Sequence, residues 1–285
     1  MLGIEPAQNV AAVALKKEIP TITEFLGAAS AKNIATEGKL ADLVIGNNVF
    51  AHVPDLNDFA AGLHTLLKPT GILTLEFPHL LQLMQNNQFD TIYHEHFSYF
   101  SLTTAMRVLE KHALTVFDVE QLSTHGGSLR IYLSRDNSRT PTPRVQELLD
   151  CEHVAGLGNP ATYSSFNEQV KTTKRALLRF LLDAREQGKS VVGYGAPAKA
   201  NTLLNYCGIR TDFIEFTVDR NPNKQGLLLP GTRIPVMPPD KIFARKPDYV
   251  LILPWNIKDE VMKQMCGIRD WGGQFVVPIP RLLIC

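Results

Sequence analysis

"SVVGYGAPAKAN", residues 190–201, passes from an apolar run through Gly193 and Gly195 into a stretch of helix-forming residues. A strand that turns on glycines into a helix is the opening of an α/β unit, since the helix must cross back to lay the next strand parallel to the first. The residues that follow keep the pattern. The helix runs through "PAKANTLLNYCG" (197–208), followed by a strand at "EFTVDRN" (215–221) and a short apolar segment near "IPVMPP" (234–239). A strand at "DYVLIL" (248–253), a helix at "IKDEVMKQMC" (257–266) and a strand at "QFVVPIP" (274–280) complete it. Alternation of this kind predicts a parallel sheet.

Upstream, a long helical stretch runs from about Tyr163 to Gln187, preceded by a polar, Pro-rich seam, "DNSRTPTPRVQ" (136–146). The first half alternates as well. "MLGIEPAQNVAAVALKKE" (1–18) reads as a short strand, a turn at Pro6 and a helix, and "PTITEFLG" (20–27) as a second strand. "ADLVIGNNVFAHVPD" (41–55) is a strand ending in a polar loop. "LNDFAAGLHTLLKPTG" (56–71) is an amphipathic helix ended by Pro69 and Gly71, and "ILTLEFP" (72–78) is the next strand. Ser101 is placed to cap a helix over "SLTTAMRVLEKHAL" (101–114). "TVFDVEQL" (115–122) and "SLRIYLSR" (128–135), joined by "STHGG", form an antiparallel pair. The chain thus divides into two α/β domains, residues 1–140 and 141–285, with no internal repeat.

Composition narrows the function. The net charge is +1 and no basic run occurs, which argues against a nucleic-acid groove or a membrane surface. The apolar runs suit buried strands rather than membrane spans. Cys151, Cys207, Cys266 and Cys285 lie far apart without a CxxC pair, as in reduced, cytoplasmic proteins with neither a disulfide framework nor a zinc clip.

The densest chemistry is "FDTIYHEHFSYFS" (89–101), where Tyr93, His94, Glu95 and His96 are consecutive and Tyr99 follows. A buried turn whose histidines satisfy backbone groups is one reading. A metal site is another, but His94 and His96 on one strand face lack a third ligand nearby. Proton transfer is the third. Histidine titrates near neutrality unperturbed, Glu95 or a carbonyl could hold its ring, and Tyr93 could donate to a developing oxyanion. Asn47, Asn48 and His52 follow the strand end of "NNVFAHVPD", the edge where open α/β sheets place ligands; a helix-capping loop using Asp55 is the alternative. Glu5, ending the first strand, is placed to accept two ribose hydroxyls. In "GYGAPAKAN" the glycines and Lys199 suggest a phosphate cradle, and Asp219, 24 residues beyond Gly195, leaves an NAD-type site open.

Taken in order, "GIEPAQN", "NNVFAHVPDLNDF", "FDTIYHEHFSYFS", "THGGSLRIYLSR", "VVGYGAPAKAN" and "VDRNPNKQG" resemble the sugar C-methyltransferases over essentially the whole chain. The resemblance implies a Rossmann-type methyltransferase domain using S-adenosylmethionine, followed by a second Rossmann-like α/β domain that helps to hold a nucleotide. It implies proton abstraction beside the ketone of a nucleotide-linked 4-keto-deoxysugar, of dTDP type, and methylation of the carbanion, without a metal. It assigns His96 as general base, with Tyr93, Glu95 and His52 at the other active-site positions. It puts Glu5, Asn47 and Asn48 at the cofactor, and Gly193, Gly195, Lys199 and Asn201 at the substrate. Relative to that family, the zinc module and the first Rossmann strand with its glycine-rich loop are not found before Met1. The sheet is then expected to be short of a central strand and to expose an apolar edge, and the chain alone to be weakly active or inactive. A remnant that only grips a nucleotide-sugar, or a nicotinamide-dependent oxidoreductase built on "GYGAPAK", are the alternatives.

Overall fold

The computed structural model describes residues 1–135 and 139–285, gathered into two compact units, Met1–Leu80 with His96–Gly156 and Leu81–Glu95 with Leu157–Cys285. Residues 136–138 of the Pro-rich seam lie outside the described residues.

The first unit opens with β1 (Gly3–Ile4), α1 (Gln8–Lys16), β2 (Thr21–Ile22) and α2 (Ala28–Thr36), in which β1 and β2 form a parallel pair of their own. It continues with β3 (Ala41–Asn47), α3 (Leu56–Leu66) and β4 (Leu67–Pro78). Beyond α4 (Leu80–Gln85), which past Leu80 belongs to the second unit, it adds α5 (Leu102–Glu110), β5 (Leu114–Leu122), β6 (Ser128–Arg135) and α6 (Pro143–Val154). A four-stranded sheet runs β3-β4-β6-β5, parallel between β3 and β4 and antiparallel elsewhere. The hairpin of β5 and β6 is therefore as the sequence predicts. Asp55 caps α3, accepting from the Asn57 and Asp58 N–H groups, and Ser101 caps α5 by accepting from Thr104 N–H.

Two expectations are corrected here. α3 stops at Leu66, and Pro69 and Gly71 lie within β4. The register jumps between Ala41–Leu67 and Leu43–Ile72, so Pro69 sits in a bulge, where its missing N–H leaves no gap in the ladder. Gly71 is needed there, because a Cβ would come within 2.7 Å of Leu67 and 3.0 Å of the Ala41 carbonyl. The seam is not simply a linker either: Pro143 opens α6, a first-turn position where its fixed φ favours a helix. Leu148 and Val145 of α6 are buried in the same core as Phe50, Phe59, Phe77 and Phe100.

The second unit contains α7 (Pro160–Glu186), β7 (Val191–Tyr194), α8 (Ala198–Cys207), β8 (Thr217–Val218), β9 (Val236–Met237) and α9 (Asp240–Arg245). It ends with β10 (Tyr249–Ile252), α10 (Lys258–Gln264), β11 (Gln274–Val277) and β12 (Leu283–Ile284). Its six-stranded sheet runs β12-β11-β10-β7-β8-β9, parallel throughout except for β12. β7 and β10 are fully buried and apolar, as central parallel strands covered on both faces must be. Both units are thus α/β.

β3 departs from that rule. It is an edge strand, yet Leu43 and Ile45, which share a face, are 53% and 63% exposed. Val10 and Val13 on α1 are exposed too.

Candidate active site

In the first unit, two phenylalanines place the site. Phe50 and Phe100 are buried and stack with centroids 4.3 Å apart and planes at 13°. Phe50 begins the short 3-10 turn Phe50–His52 that follows β3, and Phe100 ends the stretch after "YHEH". The Ala51 carbonyl accepts from Phe97 N–H at 2.8 Å and Ser98 N–H at 3.3 Å, which fastens the second segment onto the turn. The rings of His52 and His96 then meet edge to face at 4.8 Å, and Tyr99 meets His96 at 5.7 Å. All three are partly buried.

Glu5 follows β1, its backbone N–H bonded to Ile22 and its Oε1 accepting Ala7 N–H at 2.8 Å. Asn47 ends β3 and Asn48 follows in a left-handed conformation (φ 53°), with both side chains exposed. Each of these residues therefore stands at the carboxyl end of its strand, where α/β sheets bind ligands. A carboxylate and two amides are the donor and acceptor types that ribose hydroxyls and a zwitterionic amino acid require.

Tyr93, His94 and Glu95 belong to the second unit, Tyr93 partly buried and the other two exposed. Burial, then the charges of Glu95 and Asp90, raise the Tyr93 phenol above its ordinary value. It therefore remains a hydrogen-bond donor at neutral pH.

The "GYGAPAKAN" turn is held from within the fold. Gly195 N–H donates to Val218 O at 2.6 Å, Ala196 N–H donates to Asp219 Oδ2 at 2.8 Å, and Pro197 has no N–H. The other Asp219 oxygen accepts Asn221 N–H, so this carboxylate is committed to the turn rather than poised for a ribose. A Cβ at Gly193 would meet Thr217 at 2.7 Å and one at Gly195 would meet Pro254 at 2.5 Å, and Gly195 has a φ of +91°. Internal packing thus accounts for both glycines. Lys199 and Asn201 are the polar groups of the stretch. Lys199 Nζ donates to Asn256 Oδ1 at 2.9 Å and lies 4.4 Å from the Trp255 ring centre, and burial lowers its pKa. The Asn201 side-chain oxygen is buried without a partner among the described residues.

Sequence reasoning passed over Asp90, inside the very stretch it singled out. Asp90 is fully buried and its Oδ2 accepts the Trp255 indole N–H at 2.7 Å. Its side-chain partner is the distant Trp255, and nothing local marks the pair. A cavity of 560 Å³ in the second unit, bordered by Gln85, Asn87, Glu168, Thr173 and Arg281, contains none of the candidates. Among the described residues no group of three or more His, Cys, Asp or Glu could hold a metal, and no helix is long and apolar enough to cross a membrane.

Residues 123–280 match the C-methyltransferase C-terminal domain and residues 1–119 match a methyltransferase domain. The C-methyltransferase NovU of Streptomyces niveus is 39% identical over 285 residues, covering 99% of this chain and 67% of that protein. Solved structures are more remote. A SAM-dependent methyltransferase of Thermotoga maritima is 17% identical over 47% of this chain and 72% of its own, with a TM-score of 0.37. The N-methyltransferase NodS of Bradyrhizobium japonicum, solved with S-adenosyl-L-homocysteine, is 14% identical over 47% and 65%, with a TM-score of 0.35. Those two likenesses are too slight to bear on the site. The domain matches and the extent of identity to NovU make this chain a member of the C-methyltransferase family.

Proposed function

We propose that this chain is an S-adenosylmethionine-dependent enzyme that removes a proton from the carbon beside the ketone of a nucleotide-linked 4-keto-deoxysugar and methylates that carbon. The observation that carries the reading is the His52–His96–Tyr99 cluster, fastened beneath by the Phe50–Phe100 stack. A carbon acid beside a ketone needs a base near neutral pKa and a donor for the oxygen on which charge develops. His96 takes the proton at an imidazole nitrogen. Tyr93, kept protonated, donates to the oxyanion, while Glu95 and His52 orient and balance the charged intermediate. Glu5 would hold the ribose hydroxyls of S-adenosylmethionine, with Asn47 and Asn48 beside it. When bound, that cofactor supplies an electrophilic methyl group. Lys199 and Asn201 would contact the nucleotide-sugar, and Gly193 and Gly195 shape the turn that presents them. With their backbone groups already engaged, phosphate binding falls to the Lys199 ammonium. The Lys199 ammonium supports a diphosphate-bearing ligand of dTDP type, and the four free cysteines support a cytoplasmic setting. We also read residues 1–140 as the methyltransferase domain and 141–285 as the C-terminal domain, whereas the two family matches meet earlier, at residues 119 and 123.

The test is deuterium wash-in beside the ketone of a dTDP-linked 4-keto-deoxysugar, followed by mass spectrometry. His96→Asn should lower the exchange rate by about 10²–10⁴-fold. Exchange at the unaltered rate in His96→Asn would refute the base assignment. Binding of dTDP with no exchange even in the unaltered chain would favour a nucleotide-sugar binder.

A further inference from the structure

Asp90 lies in the 3-10 turn Phe89–Thr91, where Phe89 is buried against Tyr206 of α8 at 5.4 Å. One carboxyl oxygen accepts from Trp255, and the other, Oδ1, has no partner among the described residues. A single indole bond does not compensate an ionised carboxylate for the loss of water, and an amide would anchor the turn as well. Burial accordingly pushes Asp90 up to about 7, against the Trp255 hydrogen bond, the Lys199 charge and its own backbone N–H. The Lys199 charge acts on it from α8, and along its own segment Tyr93 feels the charges of Asp90 and Glu95, with His94 exposed between Tyr93 and Glu95. The 3-10 turn that bears Trp255 and Asn256 supplies no charge of its own. A buried group that titrates near neutrality beside a candidate catalytic phenol is a poor choice for stability alone.

We propose that Asp90 is a positioning residue: latched to Trp255, it fixes the 89–95 segment, and its proton controls how strongly Tyr93 donates to the oxyanion. This rests on Tyr93 being the oxyanion donor. While Asp90 is neutral, Glu95 is the anionic neighbour of the phenol. When Asp90 ionises, a second negative charge tightens the Tyr93 proton and weakens the hydrogen bond it gives. Turnover should then fall as pH rises through the Asp90 transition.

The ligand-free chain tests the latch. With 13C-labelled tyrosine, the resonance lost in Tyr93→Phe identifies Tyr93. Its shift should pass through a transition centred near pH 7 that disappears in Asp90→Asn, an isostere that still accepts from Trp255. A Tyr93 resonance unmoved between pH 6 and 8, or a transition that survives Asp90→Asn, overturns the proposal. The exchange assay tests the link to chemistry. Asp90→Asn should lose the fall in rate above neutrality with KM unmoved, and Asp90→Ala, which loses the latch, should fall about 10–100-fold in kcat. An Asp90→Asn profile identical to the parent overturns the positioning role. Undiminished exchange in His96→Asn would instead count against the catalytic reading and leave the resonance result standing.

Discussion

His52 and His96 meet edge to face with centroids 4.8 Å apart, brought together by two loops pinned at Ala51. If His52 orients His96 rather than filling space, shape and chemistry can be separated. His52→Ala should lower exchange beside the ketone by about 10–100-fold. His52→Phe, which keeps a ring against His96, should recover little of it. Full recovery by phenylalanine would reduce His52 to packing. Deuterium incorporation by mass spectrometry reads either result.

Glu152 of α6 is a structural hub of the first unit. It is 1% exposed, its Oε1 lies 2.8 Å from His79 Nε2, and it accepts from Leu102 N–H and from the N–H and hydroxyl of Thr103 at the start of α5. Burial alone would raise its pKa, but the His79 and Thr103 hydrogen bonds outweigh burial and hold the carboxyl below its ordinary 4.5. A depressed folded pKa gives stability that is present above the unfolded value and is lost as pH falls through the folded one. Glu152→Ala should cost about 3–5 kcal/mol, because it orphans His79 and the first turn of α5. It should also flatten the loss of stability below pH 4.5. Urea melts at pH 7 and pH 3.5 measure both. Equal losses at the two values would contradict the account.

Much of the fold was legible because it rests on local chemistry. Periodicity marked the apolar strands of the second unit, and Ser101 marked the start of α5. Where reading failed, a distant partner decided. Pro69 looks like a helix stop, but pairing of β4 with β3 makes it part of a bulge. α6 looks like a seam, since "DNSRTPTPRVQ" carries no apolar stripe, and only the first unit's core reveals why Val145 and Leu148 are buried. At the site, the crowding of titratable residues in "YHEH" was visible at once, as was His52 after a strand end. Asp90 was not, because its meaning depends on Trp255, far along the chain.

The exposed edge of β3 has a consequence in solution. Leu43 and Ile45 present apolar side chains on a strand that, among the described residues, has a neighbour on one side alone, a template for adding a strand. Ile45→Lys should reduce self-association at high protein concentration while leaving the melting temperature within a few degrees, since the position is already exposed. Light scattering across a concentration series gives the answer. Unchanged association in Ile45→Lys would mean that this edge is not adhesive.

Asp90 also predicts an inverted pH dependence of stability. The folded chain keeps the Asp90 proton up to about pH 7, whereas the unfolded chain releases it near 3.8. Between those values the folded state binds more protons, so this residue's contribution to stability declines as pH rises. The loss approaches about 4 kcal/mol above pH 7, an order-of-magnitude figure from the width of that interval. Asp90→Asn cannot ionise. Relative to the parent it should therefore gain stability from pH 4.5 to about 7 and then level off, opposite in sign to Glu152→Ala on the acid side. Urea midpoints for parent and variant at several pH values decide the matter. A constant difference between them would mean that Asp90 ionises as freely in the fold as outside it. A stabilised Asp90→Asn whose exchange no longer falls above neutrality would show a buried carboxyl retained for its pH response at the expense of stability.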